Sequence, residues 1–104
     1  MIRHCVFIRF KASVADAERA SILSDIAALK PLVPGYLAID IGPNVSPEGL
    51  GKGYTNGFII DFEDASARGA YLGHPDHEKA AGRIVAATEG GVDGVFVYDF
   101  DIAG

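Results

Sequence analysis

"IRHCVFIRF", residues 2–10, packs β-branched and aromatic residues together and reads as a strand. Successive side chains of a strand point to opposite faces, so Ile2, His4, Val6, Ile8 and Phe10 share one side while Arg3, Cys5, Phe7 and Arg9 share the other. The first set is the more apolar and is expected to face a helix layer. Ser13 followed by Asp16 resembles a capping box with a shortened acid. Val14, Ala17, Ile22, Ile26 and Leu29 then keep helical spacing to about Leu32, where Pro31 and "PG" (34–35) end the helix.

Working outward, "YLAIDIG" (36–42) alternates, with Leu37, Ile39 and Ile41 on one face and Ala38 and Asp40 on the other. The Gly- and Pro-rich "GPNVSPEGLGKG" (42–53) reads as a loop, and "YTNGFIIDFE" (54–63) as a third strand. Asp64 is placed to cap a short helix over 65–72, and "HP" (74–75) to open another that runs to about Glu89. "GG" (90–91) ends it, and "GVFVYDFDI" (94–102) is the fourth strand.

The order is therefore β-α-β, then β-α-β. Right-handed crossovers put both helical segments on one face of a single four-stranded sheet, an α+β sandwich of the ferredoxin-like βαββαβ type. The far face keeps Phe96, Tyr98, Phe100 and Ile102 of the last strand, Ile59 of the third and Cys5 and Phe7 of the first. Left bare, it would be an apolar patch larger than monomers usually carry. Packing two such sheets face to face buries it, which predicts a symmetric homodimer, an α/β barrel made of two chains. The long stems of Arg3 and Arg9 could otherwise shield that face.

At 104 residues the chain is expected to form one domain, 1–104. Apolar residues make up 49% and charged residues 22%, an ordinary globular mix that argues against disorder. A net charge of −5, with no basic block, argues against a nucleic-acid partner. Cys5 is the only cysteine, which excludes an internal disulfide and suits a reducing compartment. No apolar run approaches the ~20 residues needed to cross a bilayer, and His4, Arg3 and Arg9 interrupt the opening stretch. The expectation is a cytoplasmic protein that uses neither membrane nor nucleic acid.

Two of the three histidines lie in "AYLGHPDHEK" (70–79). If a helix starts at Pro75, His77 shares a stripe with Ala81, Ile84 and Thr88, the inward face, with Ala80 and Val85 beside it. His4 lies on the helix-facing side of the first strand, so the two imidazoles can meet between helix and sheet, with Tyr71 bordering the same space. In the first turn of a helix, the dipole favours a neutral imidazole. Such a ring can take a proton alpha to a carbonyl while a phenol holds the oxygen. Each residue has a plainer use. His4 and His77 could be hydrogen-bonded core histidines, and Tyr71 a packed ring with a paired hydroxyl. His74 stands where an N-cap belongs, before a proline at the first helical position; at the mouth of the same space it is also a candidate for touching substrate. A metal site would draw on His74, His77 and His4, but Pro75 puts His74 off the regular helix face and no cysteine completes the set, so no metal is expected.

Together, "RHCVFIRFK" (3–11), "PG" (34–35), "GPNVSPEGLGKGYTNGFIIDFED" (42–64), "AYLGHPDH" (70–77) and "GVFVYDF" (94–100) resemble the stress-responsive dimeric α/β-barrel, or Dabb, family over nearly the whole chain. The resemblance implies the dimeric barrel. One plant member is a polyketide cyclase that performs an intramolecular aldol condensation without a cofactor; its functional histidine, tyrosine and second His-Pro-x-His histidine match His4, Tyr71 and His77. Ile22, Leu23 and Ile26 stand where that cyclase has aromatic residues lining its alkyl pocket, which marks them, with His74, as substrate-binding candidates.

"GLGKG" (49–53) is not a phosphate loop: the spacing is wrong, no Ser or Thr follows the lysine, and a strand comes next. The loop is nevertheless long for so small a domain and suits a lid or binding edge, with Asn44, Ser46 and Glu48 serving a pocket mouth or simply its turns. Cys5 alternates away from His4, which speaks against a Cys–His nucleophile. Three functions stay open: a cofactor-independent cyclase, lyase or isomerase acting on a small carbonyl compound through His77, Tyr71 and His4; a non-catalytic small-molecule-binding or stress-associated barrel; and, by likeness of architecture alone, an oxygen- or haem-handling enzyme.

Overall fold

In the computed structural model, which describes residues 1–103, the chain follows the expected order. The elements are β1 (Ile2–Ile8), α1 (Asp16–Ala27), a 3-10 turn (Lys30–Leu32), β2 (Tyr36–Pro43), β3 (Asn56–Phe62), α2 (Ala65–Leu72), α3 (Pro75–Ala87), a second 3-10 turn (Gly91–Gly94) and β4 (Val95–Asp101). The sheet is antiparallel throughout with strand order β2-β3-β1-β4. The ferredoxin-like α+β fold is as read from the sequence. Val6, Ile8, Phe58, Ile60 and Phe62 of the central strands pack with Ile22, Leu23 and Ile26 of α1, Ala67 and Tyr71 of α2 and Ala80, Ile84 and Ala87 of α3. This layer of aliphatic and aromatic side chains is the main source of folding free energy.

Several boundaries shift, each for a local reason. Regular β1 pairing ends at Ile8, two residues short of the expected end; Phe10 makes only an isolated bridge to Thr88 as the chain crosses to the end of α3. Ser13 does not cap α1. The N-cap is Ala15, without a side-chain hydrogen bond, and Arg19 instead ties the entry down by donating to the carbonyls of Val14 (2.8 Å) and Lys11 (3.2 Å). α1 stops at Ala27 because Pro31 lacks an N–H and its ring would strike the carbonyl four residues back, so the chain continues as the 3-10 turn.

The alternation read in 36–42 is broken by a bulge. Pairing runs Tyr36 with Phe62, then Ala38 with Asp61 and Ile39 with Ile60, so Leu37 is the extra residue. Tyr36 thereby turns into the core beside Ile39, and Leu37 is left exposed, off the face predicted for it. The Tyr36 hydroxyl donates to the Ile26 carbonyl at 3.0 Å, a second bond beside the one that carbonyl accepts from the Leu29 amide, and so ties β2 to the end of α1. Gly35, at φ +88°, lets α2 press against this turn; a Cβ there would sit 2.6 Å from that of Ala67. Among the described residues, no helix is long and apolar enough to cross a membrane.

Candidate functional site

Two elements bring the site together. α2 begins with a true cap, the Asp64 carboxylate accepting from the Ala67 amide at 2.8 Å, and carries Tyr71 in its last turn. Gly73 ends α2 and Pro75 opens α3 immediately, so the chain folds at a tight elbow between Tyr71 and His77. The two rings come to rest with centroids 4.6 Å apart. His4, on the inward face of β1, lies 5.9 Å from Tyr71. The three residues matched to the cyclase therefore converge between helix and sheet.

Their electrostatics differ. Tyr71 is fully buried, and burial pushes its phenol far up, with Tyr36 adding to the shift, so it stays protonated and can only donate or accept as O–H. Burial holds the His77 imidazole below its ordinary value, and His4 reinforces this; the backbone at Leu72 and Glu78 pull the other way without cancelling it. His77 is thus a neutral base beside a neutral acid. Neither the Tyr71 hydroxyl nor Nδ1 of His77 has a hydrogen-bond partner in the protein, although both atoms are buried. Unpaired buried polar groups cost roughly 1–3 kcal/mol each, so both atoms are ready to take a hydrogen-bonding partner.

His4 is held differently. Its Nδ1–H donates to Asp99 Oδ1 at 2.7 Å, and Asp99 Oδ2 accepts from Arg68 at 2.9 Å. Neither Asp99 nor Arg68 was singled out in the sequence. The sequence carried half of the signal, the parity Asp99 shares with Val95 and Val97; only the register of β1 and β4 pairs it with His4.

Of the substrate-binding candidates, Ile22, Leu23 and Ile26 share the buried core cluster that also holds Tyr71. Ile22 also borders a cavity of about 410 Å³ at the far ends of α1 and α3, with Lys11, Ser13, Glu18 and Arg83. His74 is the N-cap of α3, its Nδ1 accepting from the Asp76 amide at 3.0 Å. Val85, placed beside the His77 stripe, is exposed. Among the described residues, no group of three His, Cys, Asp or Glu side chains could hold a metal ion.

A larger hollow, about 620 Å³, lies on the bare sheet face under the 42–55 loop, lined chiefly by Phe7, Leu50, Tyr54, Phe96 and Lys52. Asn44, also in its lining, builds the loop's turns: Oδ1 accepts from the Ser46 amide at 2.9 Å, and the Ser46 hydroxyl accepts from the Glu48 amide at 3.4 Å. Neither cavity touches Tyr71 or His77; the rings of Tyr36, Phe62 and His4 enclose Tyr71, and His77 is partly buried against it.

The model of the stress responsive A/B barrel domain matches residues 2–102. The stress-response A/B barrel domain-containing protein HS1 of Arabidopsis thaliana is 30% identical over 99 residues, which cover 95% of this chain and 87% of that protein. Among solved structures, a dimeric ferredoxin-like protein of unknown function from Jannaschia sp. CCS1 matches with a TM-score of 0.89 and 31% identity over 97% of this chain and 98% of its own. The hydroxynitrile lyase of Passiflora edulis matches with a TM-score of 0.84 over 98% of this chain and 93% of its own; at 21% identity the likeness speaks for the fold alone. The match runs through the strands, the elbow and the closing strand alike, and the chain belongs to the stress-responsive A/B barrel (Dabb) domain family.

Proposed function

We propose that this protein is a cofactor-independent acid–base enzyme acting on a small carbonyl compound, of the cyclase or lyase type, with Tyr71 and His77 as its reacting pair. The observation that carries this reading is that the Tyr71 and His77 rings lie with centroids 4.6 Å apart while the Tyr71 hydroxyl and His77 Nδ1, both buried, have no hydrogen-bond partner. A carbonyl substrate would complete both. Its oxygen would accept from the Tyr71 O–H while the carbon-bound alpha proton passes to neutral His77. The electron pair left behind moves onto the oxygen as an enolate, which the phenol then stabilises. Neither cavity reaches the pair, so a substrate enters only if the aromatic cluster around Tyr71 opens, and His4, 5.9 Å from Tyr71, would then border and orient it.

The pH profile follows from the direction of the His77 shift. The base works only when unprotonated, and its value lies below the ordinary 6.5, so kcat/KM should stay level through neutrality and fall only as pH drops below that value. The test is turnover of a panel of β-keto compounds. His77→Ala should abolish it with the dimer intact, and retained turnover removes His77 from the mechanism.

The close aromatic packing around Tyr71 favours a second reading, a non-catalytic small-molecule-binding barrel. Binding of the same compounds without turnover by the wild type would select it.

We also infer that the working unit is a homodimer joined through the bare sheet face. Phe96, Tyr98 and Phe100 are 47%, 57% and 43% exposed there. The two arginines of that face leave these rings exposed: Arg3 forms a two-point pair with Asp61 at 2.9 and 3.1 Å, and Arg9 lies over Tyr54 and donates to the Asp93 carbonyl. The similar Jannaschia protein is described as dimeric, which supports the same assembly here.

A further inference from the structure

We propose that Arg68 is a positioning residue for the Tyr71–His77 site, setting the tautomer of His4 through Asp99 and steadying the helix that carries Tyr71; this rests on the acid–base reading of that site. The chain of contacts is continuous. Arg68 Nη1 donates to Asp99 Oδ2 at 2.9 Å, and Asp99 Oδ1 accepts from His4 Nδ1 at 2.7 Å. A carboxylate offers only acceptors, so the proton of neutral His4 must sit on Nδ1, leaving Nε2 as the lone-pair nitrogen. His4 is 4% exposed and has no water-facing alternative to this arrangement.

Asp99 alone would be a poor anchor. It stands on the helix-facing side of an edge strand, where an unpaired carboxylate is costly and free to swing. Arg68 removes both problems by occupying the second oxygen. With side-chain exposures of 30% and 22%, the pair is shielded enough to be more than a solvated surface contact. Arg68 is also one helical turn before Tyr71, and residues so spaced lie on one face of a helix. One guanidinium therefore joins α2 to β4 and, through Asp99, to β1. The same contact orients the phenol-bearing turn and the imidazole opposite it.

The test uses long-range proton–nitrogen NMR of the full-length protein, which reads the tautomer of each histidine ring from its two nitrogen shifts. Wild type should show His4 as a single Nδ1–H tautomer. Arg68→Gln should move it toward the mixture seen for free imidazole, and Arg68→Lys should restore the wild-type pattern. Asp99→Asn, which can turn its amide N–H toward the ring, should shift the proton to Nε2 and serves if Arg68→Gln folds poorly. With a β-keto compound that is turned over, Arg68→Gln should lower kcat about tenfold with KM nearly unchanged, as expected when geometry rather than binding is lost. An unchanged His4 spectrum in a folded Arg68→Gln, or in Asp99→Asn where Arg68→Gln does not fold, overturns the proposal. A changed spectrum in a protein that turns over no such compound upholds the positioning of His4 and sinks the acid–base reading instead.

Discussion

Tyr71 presents an unusual balance at the scale of a single residue. Its ring is at the centre of an aromatic cluster, with centroids 5.1 Å from Phe62 and 5.8 Å from Tyr36, yet its hydroxyl has no partner in the protein. The neighbouring Tyr36 shows the contrast, since its hydroxyl donates to a helix-end carbonyl. Tyr71→Phe should therefore leave thermal stability unchanged or raise it by up to about 1 kcal/mol, because it deletes an unsatisfied group and keeps the packing. Turnover should fall about a hundredfold, the usual cost of removing one oxyanion donor. A loss of stability in the melting curve would mean that the hydroxyl is paired in the fold and belongs to the core alone. The inward direction of His77 and His4 was legible in the sequence because helix and strand parity assigns it, and Tyr71 was placed beside them by its position at the end of the preceding helix. That two of their polar atoms stay unpaired was not legible, because satisfaction depends on every neighbour within about 3 Å.

Among the elements, the α2–α3 elbow is the part on which the site depends. α2 spans only eight residues, too short to be stable on its own, and relies on its cap and on packing against Gly35 and the sheet. Asp64→Ala should cost about 1 kcal/mol, seen as a drop of several degrees in the melting temperature. A change within error would show that tertiary packing alone holds the helix. The cap, the proline at the first position of α3 and the His74 cap were readable because helix-end chemistry is encoded within a few residues. The same local reading misplaced the start of α1. Ser13 has the right chemistry for a cap, but Arg19 reaching back to Val14 and Lys11 determines where the helix begins. In β2, the bulge at Leu37 reversed a clean alternation, because pairing with β3 draws Tyr36 into the core beside Phe62.

For the whole molecule, the decisive feature is a sheet covered on one side only. Phe7 sits near the middle of the bare face, across from Gly57 and Phe96 in the register of its two neighbouring strands. Glycine at 57 is what admits the Phe7 ring, since a Cβ there would lie 2.7 Å from it. Phe7→Asp should place a charge in the surface where two copies meet and split the dimer, read as a halved mass in sedimentation with the fold retained. An unchanged mass would show that the copies associate through another surface or not at all. The hollow beneath the 42–55 loop opens on the same face, so closing the dimer and covering that hollow are one event under this reading.

What the sequence determined by itself was the order of elements, the ferredoxin-like topology and, outside the bulged start of β2, the face on which the strand residues lie. These follow from periodicities of two and 3.6 residues and from turn chemistry, all of which act over short stretches of chain. Only the tertiary structure decided which inward groups are paired. His4 meets Asp99 across 95 residues of chain, and Asp99 meets Arg68 across 31. Such partners are chosen by strand register and by the angle at which a helix crosses the sheet. No local pattern encodes either, because both are set by how the whole core packs.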